Sequence, residues 1–112
     1  MTVVETERFL KDVRLLIPES ERAELVAFVA ANPGAGDLIP ETGGVRKLRW
    51  GLPGRGKRGG ARIIYYHHSK RLPVFLLAAY AKNERADLSQ KDRGGFRRLT
   101  KLLVETYGRA KR

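Results

Sequence analysis

The chain of 112 residues is 42% hydrophobic, enough for one core and too short for two ordinary domains, so residues 1–112 read as a single domain. It has no cysteine, which excludes disulfides, thiolate metal sites and a Cys nucleophile. With neither a secretory leader nor an apolar run near the roughly 20 residues that span a bilayer, the cytoplasm is the expected location. A formal net charge of +11 makes a polyanion, above all nucleic acid, the expected partner. That charge is unevenly spread: residues 1–44 carry four Lys/Arg against eight Asp/Glu, and residues 45–112 carry nineteen against four.

In chain order, Val3 and Val4 suggest a short first strand. Phe9, Leu10, Val13, Leu16 and Ile17 then recur at helical spacing from Thr6 onward. Pro18 suits the first turn of a second helix, where Glu19, Glu21 and Glu24 complement the positive helix end and Leu25, Phe28 and Val29 form a buried stripe. Asn32, Pro33, Gly34 and Gly36 end it. From Val45 the period switches to two: Arg46, Leu48 and Trp50 share one face of a strand, and Val45, Lys47 and Arg49 share the other. ARIIYYHH from Ala61 predicts another strand, and PVFLLAAYAK from Pro73 a third, apolar enough to be buried on both faces, with Ser69, Lys70 and Arg71 at the turn between them. Ser89 is placed to cap a final helix with Phe96, Leu99, Leu102, Leu103 and Tyr107 on its apolar side and Lys91, Arg93, Arg97, Arg98 and Lys101 around the rest. Gly94 and Gly95 weaken that helix by roughly 1 kcal/mol each relative to alanine, predicting a late start or a bend. The resulting order is β-α-α-β-β-β-α, an α+β domain.

The segment GLPGRGKR, residues 51–58, comes within one residue of the nucleotide-binding pattern G-x-x-x-x-G-K-[ST]. That loop needs a helix after it and a hydroxyl for magnesium, whereas here a strand follows and Arg58 holds the hydroxyl position. The better reading is a glycine-rich hairpin loop whose Arg55, Lys57 and Arg58 contact a nucleic-acid backbone. Lys47, Arg49 and Arg62 converge on the same sheet region, and cations crowded on strands about 4.8 Å apart repel one another unless an anion is expected there.

No metal-ligand spacing such as H-E-x-x-H occurs, the acids near the basic region, Glu84, Asp87 and Asp92, are scattered, and consecutive His67 and His68 point to opposite strand faces. No cofactor is therefore expected. What remains is metal-free phosphodiester cleavage, in which an RNA 2′-OH attacks the adjacent phosphorus. It needs a base, an acid for the leaving 5′ oxygen and cations for the transition state. Lysine can act as base where neighbouring positive charge weakens its hold on a proton, and arginine is a permanent clamp. Participation of His67 or His68 is left open.

The segments GDLIPETGGVRKLRW, GRGKRGGARIIYY and YAKNERADLS resemble the RelE/ParE superfamily of bacterial toxins, closest to the HigB type of the RelE branch. The resemblance implies a RelE-like fold: a small antiparallel sheet with two N-terminal helices and a C-terminal helix. It implies a type II toxin that enters the ribosomal A site and cuts translated mRNA, held inactive by a cognate, HigA-like antitoxin with a helix-turn-helix, the pair repressing its own operator DNA. Matched position by position, it points to Lys47, Arg49, Arg62 and Lys82 as catalytic, with either lysine as proton-transfer group and the arginines on the transition state. Arg46, Arg55, Lys57, Arg58, Asn83 and Arg85 are the candidate RNA-binding residues. Tyr107 departs from the C-terminal tyrosine that some relatives place near the scissile phosphate, because its helical phase reads as core. The alternatives are a ParE-like inhibitor of DNA gyrase and a protein that binds RNA or the ribosome without cutting.

Overall fold

The computed structural model describes residues 1–52, 56–82 and 88–110. The elements are β1 (Val3–Glu5), α1 (Glu7–Arg14), α2 (Glu19–Ala31), β2 (Asp37–Leu38), β3 (Val45–Leu52), β4 (Gly56–Tyr66), β5 (Val74–Ala81) and α3 (Gln90–Ala110). They form an α+β fold around one five-stranded sheet of order β1-β5-β4-β3-β2. β2 through β5 pair antiparallel, as expected. The sheet as a whole is mixed, because β1 lies parallel to β5, with Val3 opposite Val74 and Glu5 opposite Leu76. The two-residue β2 is an element that the sequence pattern is too short to reveal.

Each helix layer covers one sheet face. Phe9, Val13, Ile17, Leu25 and Val29 of the α1–α2 segment pack on Leu48, Ala61, Ile63, Tyr65, Val74, Leu76 and Ala79. Phe96 of α3, with Leu99, Leu103, Val104 and Tyr107 around it, packs on Val45, Ile64, Tyr66, Phe75, Leu77, Ala78 and Tyr80. Complete burial of one such side chain is worth about 1.5–3 kcal/mol. β5 is buried along its whole length, which explains its unbroken apolar sequence. Tyr107 meets Phe75 edge-on with ring centroids 4.9 Å apart, so it belongs to the core. Two expected stripe positions differ: Leu102 is 58% exposed, and Phe28 is partly exposed beside Trp50.

The element boundaries have local causes. Thr6 caps α1 by accepting from Phe9 N at 3.2 Å, and its hydroxyl donates to Leu76 O at 2.8 Å, tying helix start to strand. Ser89 and Asp92 form a reciprocal capping box: Asp92 N donates to Ser89 Oγ at 3.1 Å and Ser89 N to the Asp92 carboxylate at 3.3 Å. With this cap α3 runs unbroken from Gln90 through Gly94 and Gly95. The connection into β3 is pinned by buried Thr42, which donates to Ile39 O at 2.7 Å and accepts from Val45 N at 3.0 Å. Next to it Gly43 has φ +78°, and a Cβ there would lie 2.5 Å from Thr100 Oγ1, so only glycine lets α3 approach.

Two irregularities aim the functional face. β4 begins at Gly56, so Gly56–Gly60 is strand rather than open loop. At Gly60 a Cβ would sit 2.4 Å from Trp50 O, beside the register shift between Trp50 and Leu52. On β5, Ile64 faces Ala78 while Tyr65 faces Leu76, leaving Leu77 as an extra residue. This bulge reverses the alternation, so that Leu77 and Ala78 both join the α3-side core and Tyr80 follows them onto that face.

Candidate nucleic-acid interface

The alternation of β3 and β4 separates the basic residues by face. Arg46, Leu48 and Trp50 point to the α1–α2 side, whereas Lys47 and Arg49 point to the α3 side with Val45. Arg49 is the direct cross-strand partner of Arg62, which in turn faces Tyr80 on β5. Such partners have Cβ atoms about 4.5–5.5 Å apart, and diagonal neighbours lie roughly 7–8 Å apart. Lys47 is diagonal to Arg62 across β3. Beyond the end of β5, Lys82 N donates to Gly60 O at 3.2 Å, which continues the pairing and makes Lys82 the diagonal neighbour of Arg62 on the other side. Arg62 is thus the centre of a group formed by Lys47, Arg49 and Lys82.

Exposure differs within the group. Arg49 and Lys82 are exposed, Lys47 is half-buried, and Arg62 is only 7% exposed, with Nη1 donating to Ala61 O at 3.4 Å. A guanidinium taken out of water is costly unless a carboxylate or another anion meets it. Among the described residues the ion pairs are Arg8–Asp12, Arg22–Glu5 and Arg22–Glu19, and none includes a member of this group. Among the described residues, then, no carboxylate pairs with these cations. Tyr80, directly opposite Arg62 and nearly buried, is a site neighbour that the sequence reading missed; its position two residues before Lys82 on a strand was the available signal.

The remaining candidates fall elsewhere. Arg46 lies on the opposite face, where Nη1 donates to Gly36 O at 2.8 Å and Gly34 O at 3.3 Å, so it braces the loop after α2 rather than joining Lys47 and Arg49. Lys57 and Arg58 belong to β4. Arg55, Asn83 and Arg85, and the acids Glu84 and Asp87, lie outside the described residues. His67 and His68 follow β4 at its other end, roughly 17–20 Å from Arg62 at about 3.4 Å per residue. His68 Nδ1 is 3.2 Å from the Tyr66 hydroxyl, and burial, with Arg46 and His68 nearby, pushes the His67 imidazole below its ordinary value.

The arrangement can hold a phosphate and stabilise added negative charge on it. It does not form a triphosphate loop, since Gly51–Arg58 leads from one strand into the next and supplies no helix N-terminus. Among the described residues no three His, Asp or Glu side chains gather as a metal site, and no helix is long and apolar enough to cross a membrane. Residues 3–110, nearly the whole chain, match the family described as the RelE toxin of the RelE/RelB toxin-antitoxin system, so the chain belongs to that toxin family and has an antitoxin as its partner.

Proposed function

We propose that the protein is a ribosome-dependent endoribonuclease that cuts translated mRNA in the A site without a metal, in the cytoplasm. The observation that carries this reading is the Arg49–Arg62 cross-strand pair, flanked diagonally by Lys47 and Lys82. In the reaction a lysine takes the proton of the 2′-OH, the 2′ oxygen bonds to phosphorus, and the bond from phosphorus to the 5′ oxygen breaks. The second lysine protonates the departing oxygen. The products are a 2′,3′-cyclic phosphate and a 5′-OH, with no net change in protons. Arg49 and Arg62 face the charge that builds on the phosphoryl oxygens, where electrostatic stabilisation acts most strongly in a site shielded from water. Lys47 and Lys82 stand on opposite sides of Arg62, as separate base and acid require.

Dependence on the ribosome follows from the weakness of a lysine base: the 2′-OH must be aligned with phosphorus by its surroundings for the rate to be useful. The HigB-type kinship suggested by the three sequence segments, with a HigA-like helix-turn-helix antitoxin and operator binding by the pair, is part of this proposal. Arg55, Lys57, Arg58, Asn83 and Arg85 would extend RNA contact beyond the central four. Induction in cells followed by mapping of new mRNA 5′ ends tests the reading. Breaks phased with codons inside translated messages support it; intact messages with arrested DNA replication would instead identify a gyrase inhibitor.

A further inference from the structure

A cavity opens on the β5 side of Arg62. Pairing with β1 covers the outer edge of β5 only as far as Leu76, and α1 takes over from there, with the Asp12 carboxylate accepting from Ala79 N at 3.0 Å. Between that carboxylate and the start of α3 lies a space of about 140 Å³. Buried Ile64, Tyr80, Leu88 and Phe96 form its apolar wall, and Arg8 and Asp12 its polar one. Tyr80 belongs to both places, since it is also the cross-strand partner of Arg62. The cavity is therefore about two strand spacings, roughly 10 Å, from Arg62, which one nucleotide can bridge. Its polar groups are incompletely used. Asp12 Oδ2 takes the Ala79 proton and lies 3.8 Å from Arg8 Nε, while among the described residues nothing bonds the other carboxylate oxygen. The Arg8 side chain is 56% exposed, with its guanidinium carbon 5.7 Å from the centre of the Phe96 ring.

We propose that this cavity is a base-reading subsite that takes the cytosine of a nucleotide flanking the linkage held by Arg49 and Arg62; the inference rests on the cleavage reading above. Size argues for a single ring, because a cavity of about 150 Å³ holds one benzene, whereas a fused purine is larger. The walls suit an unstacked base, with the aromatic rings of Tyr80 and Phe96 to meet its faces. Polarity then separates the two pyrimidines. Cytosine carries an amino group next to the acceptors N3 and O2, so a carboxylate can accept from the amino group while a guanidinium donates to an acceptor. Asp12 and Arg8 offer that pair of groups side by side. Uracil has an oxygen in place of the amino group, and that oxygen would face the carboxylate with no proton between them. The bond to Ala79 N fixes Asp12 against the strand before any base arrives.

The test reads discrimination between bases in two ways. The full chain is titrated with the 3′- and 5′-monophosphates of all four nucleosides while the Tyr80 and Phe96 ring signals are followed by NMR. Separately, ribosome-bound messages that differ only in cytidine or uridine on either side of the cleaved linkage are compared for rate. A cytidine nucleotide should shift both ring signals at about tenfold lower concentration than its uridine counterpart, and the cytidine message should be cut about tenfold faster or more. Asp12→Asn keeps a carbonyl oxygen on Ala79 N and turns an amide N–H toward the ring, so the preference should vanish or pass to uracil. Arg8→Met should lower the cytidine preference with a thermal midpoint near the parent's, as its exposed charge is not needed for folding. A purely structural role for Asp12 would change the response to every base alike. Equal responses to cytidine and uridine nucleotides, a stronger response to a purine, or the parent's discrimination in Asp12→Asn would each overturn the inference. Cleavage without base preference would overturn the subsite and leave the Arg62 site standing. A cytidine preference in the titration with no cleavage on ribosomes would uphold the subsite and refute the cleavage reading alone.

Discussion

Arg49 and Arg62 are direct cross-strand partners on the α3-side face, and the inner of the two, Arg62, is almost completely buried. Like charges placed directly opposite destabilise a sheet, and a buried guanidinium with no ion pair among the described residues adds to the penalty. A sheet built for stability alone would place an apolar residue at position 62, as it does at Ile64 on the same face. The strain makes sense where an anion completes the site.

Arg62→Met should therefore leave stability unchanged or raise it by about 1 kcal/mol, because it removes the buried charge and keeps the volume. Cleavage should fall by about 100-fold or more, the usual scale for loss of a transition-state donor. Urea unfolding and ribosome-coupled cleavage measure the two effects. A variant that loses several kcal/mol would show that Arg62 is a structural residue, with a partner that offsets its burial.

Asp12 of α1 reaches the edge of β5, where its carboxylate accepts from Ala79 N at 3.0 Å. That amide follows the bulge at Leu77, which sets the face on which Tyr80 and Lys82 stand. Asp12→Ala leaves the amide unpaired and should cost about 1–3 kcal/mol in urea unfolding. Asp12→Asn keeps a carbonyl oxygen for the bond and should recover most of the loss. If alanine and asparagine behave alike, the Arg8–Asp12 contact rather than the strand edge is what matters.

His67 lies on the face opposite the cationic group, with burial the main cause of its lowered pKa and positive Arg46 and His68 adding to it. Because the folded value lies below the ordinary 6.5, the fold prefers the neutral ring. The associated stability is fully present above the unfolded value and is lost as pH falls through the folded one. Thermal midpoints measured downward from pH 7 should thus decline less steeply in His67→Gln than in the parent. Cleavage by the variant should match the parent, given the distance from Arg62. A variant with the parent's acid sensitivity would assign that sensitivity to other groups.

Much of this architecture is legible in the sequence because strong periodicity survives into structure. The alternation of VRKLRW separates Lys47 and Arg49 from Leu48 and Trp50, and the phase of Phe96, Leu103 and Tyr107 predicts the buried side of α3. The same pattern also placed Arg46 opposite Lys47; its role as a brace for Gly34 and Gly36 depends on a loop path that periodicity does not encode. Thr100 occupies a core phase of α3, four residues after Phe96, yet a threonine is easily read as polar surface; it is buried with its hydroxyl 2.9 Å from Arg97 O and 3.3 Å from Thr42 O, so its polar atom is satisfied inside the fold. Leu102 fails in the opposite sense, since apolar character alone does not turn a residue inward. The parallel entry of β1 and the bulge at Leu77 arise from tertiary pairing, which no local spacing announces. The site was legible as a set of residue types, and its centring on Arg62 emerged only from strand register.

The most direct measurement is cleavage, on purified ribosomes, of two otherwise identical messages, one of which carries a 2′-deoxynucleotide at the position that supplies the attacking hydroxyl. The account predicts that the all-ribose message is cut to a 2′,3′-cyclic phosphate and a 5′-OH, that the deoxy message stays whole at that linkage, and that Arg62→Met cuts neither efficiently. Equal cleavage of both messages, or equal cleavage of the all-ribose message without ribosomes, would contradict it.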